Sequence, residues 1–196
     1  MTKRKMHNEN THMGPSFSLK NRLGRLIWNI FYIVGFRYSP RPFHGWRAQM
    51  LRTFGADVGK GVHIYPGAKI WAPWNLKLGD RCGIADGTIL YSQGLITVGK
   101  NAVVSQGAHI CAGTHDYTVP GFPLQTAPIR IEDYAWIAAE VFVHPGVTIS
   151  EGAVIGARSV VNSDMPAWMV CAGFPCKPIK PRIAESEIEN FKASSH

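Results

Sequence analysis

One histidine, His115, stands where a regular sequence repeat gives way to a long insertion. It follows the segment ICAGT and precedes the insertion DYTVPGFPLQTAP, residues 116–128. A neutral imidazole held at a rigid edge beside a loop can accept a proton at neutral pH. Asp116 could orient the ring through its second nitrogen, but adjacent side chains often point apart, and a backbone carbonyl could serve equally. His115 is therefore a candidate general base, with Asp116 as a candidate for its support, but a surface histidine at the start of a loop explains the same residue without chemistry.

Cys111, four residues before His115, is an alternative nucleophile. A Cys–His pair can form an acyl-enzyme. Alternatively, Cys111 is only a small side chain on the face of a β-strand and has no chemical role. The four cysteines have no CxxC spacing and no clustered histidines: Cys82, Cys111, Cys171 and Cys176. The sequence therefore predicts reduced thiols, a cytoplasmic location and no metal site.

The net charge of +8 over 196 residues is concentrated at one end. Residues 1–57 hold ten Lys and Arg against Glu9 and Asp57, and residues 58–196 are neutral overall. A neutral body argues against nucleic-acid binding, which needs a local basic excess. No apolar run reaches the roughly 20 residues that would span a bilayer, so we expect no spanning helix.

A branched aliphatic residue returns every six positions from residue 58 onward. The fifteen positions are Val58, Ile64, Ile70, Leu78, Ile84, Leu90, Val98, Val104, Ile110, Ile131, Ile137, Val143, Ile149, Ile155 and Val161. A period of six fits neither an amphipathic helix nor an alternating strand, but it fits a short strand followed by a corner. The sequence therefore predicts an all-β fold, a parallel β-helix of about five triangular coils.

Three regions follow from this repeat. Residues 1–57 form a basic segment, with an expected disordered tail over 1–16 and helices over 19–36 and 46–54. Residues 58–166 form the β-helix with its insertion at 116–128. Residues 167–196 form an extended, proline-rich tail and a short helix. The N-terminal helices could cap the open end of the solenoid, or a basic amphipathic face could rest on anionic lipid.

Several segments resemble the hexapeptide-repeat acyltransferases, and most closely the colanic-acid-biosynthesis type of exopolysaccharide O-acetyltransferase. They are the repeat over 58–166, AGTHDY at His115, and AGFPCKPIKPR over 172–182. The resemblance implies a left-handed coil and a homotrimer with its active sites between subunits. It also implies direct acetyl transfer from acetyl-CoA to a saccharide hydroxyl during surface polysaccharide biosynthesis, with His115 as the base.

The resemblance also implies roles for particular residues. Trp136, Ala139 and Ala157 match positions that line the acyl-CoA cleft, and Lys177 and Lys180 match basic positions near the nucleotide phosphates. The galactoside branch of the family holds its sugar with an amide on the preceding coil. Here Asp86 is the only analogue, and Tyr91 and Tyr117 are candidates for stacking on the sugar.

Two other classes of function remain open. A metal-dependent hydratase of the γ-carbonic anhydrase type needs three converging histidines, whereas His109 and His115 fall on successive faces of one coil. A non-catalytic solenoid could instead serve assembly or recruit the chain to the membrane surface through its basic N-terminus. A peripheral contact with the inner membrane face is therefore an expectation of the basic segment alone.

Overall fold

The computed structural model describes residues 5–6 and 16–194 of the chain. The tail expected at residues 1–16 lies mostly outside these residues, but Lys5–Met6 forms a short strand. From residue 57 onward the chain winds into a three-sided parallel β-solenoid, as the period of six predicts. Most of the strands are two or three residues long, and corners separate them.

Each face is a sheet of strands from successive turns. The first face consists of Asp57–Val58, Leu76–Leu78, Ile96–Val98, Ile129–Ile131 and Thr148–Ile149. The second consists of His63–Ile64, Gly83–Ile84, Val103–Val104, Trp136–Ile137, Val154–Ile155, Met169–Gly173 and Cys176–Pro181. The third consists of Lys69–Ile70, Ile89–Tyr91, His109–Cys111, Phe142–Val143 and Val160–Val161.

The repeat positions stack along the axis of the solenoid. On the second face, for example, Ile64, Ile84 and Val104 are consecutive partners in the parallel register. All fifteen predicted aliphatic side chains are buried. Since each turn stacks its inward residue on the preceding one, the core is a continuous apolar column that fixes the backbone of every corner.

The structure has a partial sixth turn beyond the predicted five. Met165 forms a parallel bridge with Ile149, and Met169–Gly173 pairs with Val154–Ile155. The regular spacing is lost on entering this turn, because Met165 follows Ile149 by 16 positions instead of the 18 of a regular turn. The prediction of about five coils therefore missed the last turn, which had lost the register that revealed the others.

Two helices cap the open N-terminal end of the solenoid. Helix α1 (Leu19–Phe31) is capped at its N-terminus by Ser18, whose side chain accepts a hydrogen bond from the Asn21 amide. It continues as a π-helical turn over Tyr32–Arg37. Trp28 of α1 is fully buried, and its indole N–H donates to the Ile70 carbonyl at 2.8 Å. Both helices thus pack against the first turn of the solenoid.

Helix α2 (His44–Thr53) contributes a buried arginine to the same cap. The Arg47 guanidinium donates to the carbonyls of Ile64 and Pro40 and to the Ser39 hydroxyl, at 2.6, 2.8 and 2.7 Å. Burial lowers the pKa of Arg47 from its ordinary value. These bonds tie the N-terminal segment to the first turn of the solenoid.

The far end of the solenoid is closed by the last residues of the tail. A 3-10 turn (Glu185–Glu187) leads into helix α3 (Ile188–Ser194). The Arg182 guanidinium lies over the Phe191 ring, 4.6 Å from its centroid, and donates to the Tyr134 carbonyl at 2.8 Å. These contacts hold the end of the tail against the last turns of the solenoid.

One face of α1 and of the turn that follows it stays exposed. Its large apolar side chains are Leu19, Leu23, Leu26, Ile27, Ile30, Phe31, Ile33 and Val34. Within the described residues, no helix combines the length and the apolar character needed to cross a membrane.

Candidate active site

The insertion that follows the third face is mostly a β-hairpin. Strands Gly113–His115 and Leu124–Thr126 pair antiparallel, with His115 opposite Leu124. Lys5–Met6 adds a third strand outside Leu124–Thr126. The hairpin spans most of the insertion at 116–128 and places His115 at the end of a strand anchored to the solenoid.

The imidazole of His115 is held by the backbone of the hairpin tip. Its Nδ1 lies 2.6 Å from the carbonyl oxygen of Phe122. Because a carbonyl can only accept a hydrogen bond, Nδ1 carries the proton, and Nε2 keeps its lone pair. Phe122 has φ of 46°, an uncommon value for a bulky residue. The fold therefore supplies the tautomer that a general base requires.

The carboxylate of Asp116 braces the hairpin. It accepts hydrogen bonds from the Thr118 amide at 3.0 Å, from the Thr118 hydroxyl, and from the Gln125 side-chain amide at 2.7 Å. The imidazole Nδ1 contacts the Phe122 carbonyl, the other candidate that the sequence left open. The position of Asp116 suits the support of the loop that carries this carbonyl.

His115 lines an open cavity of about 370 Å³. Its lining residues are Ser16, Phe17, Arg22, Arg25, Trp71, Tyr91, Gln93, His115 and Leu124. Of the three residues expected to contact the sugar, only Tyr91 lines it. Tyr91 accepts a hydrogen bond from the Gln93 side-chain amide at 2.9 Å, and burial raises the pKa of its phenol.

Asp86 and Tyr117 lie outside the lining of this cavity. The Asp86 carboxylate accepts a hydrogen bond from the Gly67 amide at 2.7 Å and pairs with Arg41 at 2.9 Å. Asp86 therefore links the N-terminal segment to the second turn. Tyr117 is 83% exposed at the hairpin tip.

Cys111 is poorly suited to act as a nucleophile. Its thiol lies 3.2 Å from the Gly113 carbonyl, to which it can donate a hydrogen bond. Burial raises the pKa of the Cys111 thiol above its ordinary value, so the thiol stays protonated at neutral pH.

The residues expected to bind the cofactor lie at another edge of the solenoid. Trp136 is on the second face, and Ala139 and Ala157 occupy equivalent corners between the second and third faces. Lys177 and Lys180 are exposed on the outermost strand of the second face. The His115 hairpin leaves the solenoid at a different corner, between the third and first faces.

The sequence reasoning missed Arg22, Arg25 and Gln93 as cavity residues. Both arginines belong to the basic excess of residues 1–57, but nothing in the sequence shows which arginines face the His115 corner. Within residues 5–6 and 16–194, no three His, Cys, Asp or Glu side chains form a group that could hold a metal ion.

Solved structures define the class of this fold. A maltose O-acetyltransferase from Clostridium difficile 630 is similar over 85% of this chain and 90% of its own, with TM-score 0.77 and 25% identity. The hexapeptide-repeat-containing acetyltransferase VCA0836 from Vibrio cholerae, solved with acetyl-CoA, gives TM-score 0.78 at 22% identity over 87% of this chain and 93% of its own. The fold is therefore that of the hexapeptide-repeat acetyltransferases.

A similarity in sequence identifies a narrower group of proteins than the similarity in fold does. The chain is 43% identical over 157 residues to WcaF of Escherichia coli K12, which carries the name of a colanic acid biosynthesis acetyltransferase. The match covers 80% of this chain and 86% of WcaF. No protein-family model matches the sequence. The chain belongs to the hexapeptide-repeat acetyltransferase family, and it is similar to the WcaF branch.

Proposed function

We propose that the protein transfers an acetyl group from acetyl-CoA to a saccharide hydroxyl in the biosynthesis of an exopolysaccharide or another surface polysaccharide. One observation carries this proposal: an imidazole in an open cavity, with Nδ1 tied to a carbonyl and Nε2 left as the proton acceptor. The name of the WcaF relative supports the choice of a polysaccharide.

In the proposed reaction, Nε2 of His115 takes the proton of the acceptor hydroxyl while the oxygen attacks the thioester carbonyl. The C–O bond forms, and the carbonyl oxygen becomes an oxyanion that a backbone N–H stabilises. The C–S bond then breaks, and the CoA thiolate takes the proton from the imidazolium. Every proton is returned, and no covalent enzyme intermediate is needed.

The test is the variant His115→Ala. We expect it to keep the far-UV spectrum and the acetyl-CoA affinity of the wild type and to lose transfer by about 10² to 10⁴-fold. His63→Ala, which changes an exposed histidine of the first turn, is the matched control and should retain activity. Near-native turnover of His115→Ala would refute the role of the base.

For the cofactor, we propose that Trp136, Ala139 and Ala157 line the acyl-CoA cleft and that Lys177 and Lys180 bind the 3′-phosphate. Neutralising both lysines by Lys→Gln should weaken acetyl-CoA more than its 3′-dephospho form. Lys69→Gln, on the first turn of the third face, is the control. An equal loss of affinity for acetyl-CoA and for its 3′-dephospho form would show that Lys177 and Lys180 do not bind the 3′-phosphate.

We also propose a homotrimer in which each active site combines two chains. The position of His115 at one corner and of Ala139 and Ala157 at another supports this proposal, since a neighbouring chain can bring the two edges together. Light scattering should give three times the chain mass. Mixing His115→Ala chains with Ala157→Trp chains should restore transfer, because some sites would then hold both intact edges. A site within one chain predicts no restoration.

The cytoplasmic location and the peripheral membrane contact are proposals as well. The exposed apolar face of α1, within a basic segment, supports the contact. Co-sedimentation with anionic and with zwitterionic vesicles tests it, using Leu23→Ser with Val34→Ser as the variant. Equal sedimentation of the variant and the wild type would count against the contact.

A further inference from the structure

Helix α1 contributes two arginines to the cavity of the proposed base. Arg22 and Arg25 are three positions apart, so they lie on one side of the helix. Both line the same cavity as His115. The helix that caps the solenoid therefore also places positive charge next to the site of acetyl transfer.

Arg25 is held in place without a hydrogen bond at Nε. Its guanidinium lies over the Trp71 ring, 4.2 Å from the centroid, and 5.8 Å from the centroid of Phe17. Both rings are cavity residues. Nε is buried, and no atom of the described residues accepts its hydrogen bond. Stacking on Trp71 reduces the rotamer freedom that Arg25 would lose on binding a ligand.

Nothing in the lining of the cavity balances this charge. The lining contains no Asp or Glu, and within residues 16–194 neither Arg22 nor Arg25 forms an ion pair. Arg41, by contrast, pairs with Asp86 at 2.9 Å. Residues 1–56 offer a single carboxylate, that of Glu9. Two clustered cations facing an open cavity form a site for an anion.

We propose that Arg22 and Arg25 bind an anionic group of the saccharide acceptor, a carboxylate or a phosphate, and so make the enzyme selective for charged saccharides. This inference rests on the proposed function. The phosphates of acetyl-CoA fit the site poorly, because the whole pantetheine arm separates them from the thioester that must meet His115. A group on the acceptor can lie in the same cavity as the reacting hydroxyl.

Binding without chemistry is the first test. Calorimetry on the full chain without acetyl-CoA would compare a hexuronic acid methyl glycoside, a hexose 1-phosphate and the neutral hexose methyl glycoside. We expect one or both anions to bind at least tenfold more weakly to the Arg22→Gln/Arg25→Gln double variant, with the neutral glycoside unchanged. The anion that binds the wild type more tightly identifies the source of the charge. Equal binding of all three ligands, or no effect of the double variant, would overturn the proposal.

Kinetics provide the second test. With saturating acetyl-CoA, the double variant should lose roughly tenfold or more in kcat/KM for the charged acceptor and less than twofold for the neutral one. The KM for acetyl-CoA should not change. Arg25→Lys should recover only part of the loss, because an ammonium lacks the planar fork. Lys20→Gln, also on α1 but outside the cavity lining, is the matched control.

Salt dependence separates charge from shape. Raising the ionic strength should increase the KM of the charged acceptor for the wild type and leave that of the double variant nearly constant. Equal loss for charged and neutral acceptors would mean that the arginines only support the fold. If the wild type transfers acetyl to no acceptor, the proposed function fails, while the binding experiment still decides whether the anion site exists.

Discussion

Replacing Asp116 by Asn or Ala separates two ways of holding a catalytic imidazole. If the Phe122 carbonyl orients His115, Asp116 acts through the hairpin that presents this carbonyl. If the carboxylate had to stabilise the imidazolium directly, removing its charge would be far more damaging. We expect Asp116→Asn to cost less than tenfold in kcat and Asp116→Ala to cost about 30-fold.

The magnitude follows from the bonds at the carboxylate. Asn keeps one oxygen to accept from Thr118 but presents an amide to Gln125, so it loses the 2.7 Å bond and the charge. A hydrogen bond to a charged group contributes about 1.5–3 kcal/mol, and less where water competes. We take the lost hydrogen-bond free energy as roughly 1 kcal/mol for Asp116→Asn and about 2 kcal/mol for Asp116→Ala. If all of this loss favours an open hairpin, kcat falls about fivefold and about 30-fold. Removing the orienting carboxylate of a Ser-His-Asp triad costs about 10⁴-fold.

The assay follows CoA release at saturating donor, together with the KM for acetyl-CoA. For Asp116→Asn we expect an unchanged KM for the donor, because Nδ1 of His115 keeps its carbonyl partner. Thermal unfolding should change little, since the hairpin lies outside the solenoid core. A loss of 10³-fold or more in the Asn variant, with its melting temperature intact, would refute the assignment of the carbonyl.

Three further predictions follow from single contacts. Arg47→Met removes the hydrogen bonds that the buried guanidinium donates to the Ile64 and Pro40 carbonyls and to the Ser39 hydroxyl, so we expect the free energy of unfolding to fall by about 3 kcal/mol or more, seen as a drop of roughly 6–12 °C in Tm. Gly113→Ala adds a Cβ that would collide with the Gln93 side chain, so the acceptor KM should rise several-fold with no change in the donor KM. Cys111→Ser should retain near wild-type acetyl transfer. Alkylation of the native Cys111 thiol at pH 8 should be slow, because burial raises the pKa of this thiol. Rapid loss of activity on alkylation would contradict this prediction.

The solenoid could be predicted from the sequence because each turn repeats the same local rule. An inward aliphatic such as Ile84 meets the residue one turn away, so a six-residue period is enough to place fifteen side chains in the core. The six-residue spacing of aliphatic residues is lost near the end of the solenoid. The partial turn through Met165 was missed for that reason. His115 was found as a candidate because the insertion interrupts this regular pattern.

The environment of the candidate site was not predictable in the same way. Asp86 has the residue type of a sugar ligand, but its carboxylate is engaged by Arg41, which lies 45 positions earlier in the chain. Arg22 and Arg25 reach the cavity only because α1 packs across the first turns, a tertiary arrangement that no local period encodes. Likewise, the choice between Asp116 and a carbonyl depended on the path of the hairpin tip.

Helix α1 carries both a residue that stabilises the N-terminal cap and the arginines proposed to select the acceptor. Trp28, which is fully buried and bonded to the Ile70 carbonyl, is three positions from Arg25, which stacks on Trp71 of the same turn. The helix cannot slide to move its arginines without withdrawing Trp28 from the cap and leaving a buried carbonyl without a donor. The positions of the two cations relative to His115 are therefore fixed by the cap. A change of acceptor would arise more readily from substitution at positions 22 and 25 than from movement of the helix.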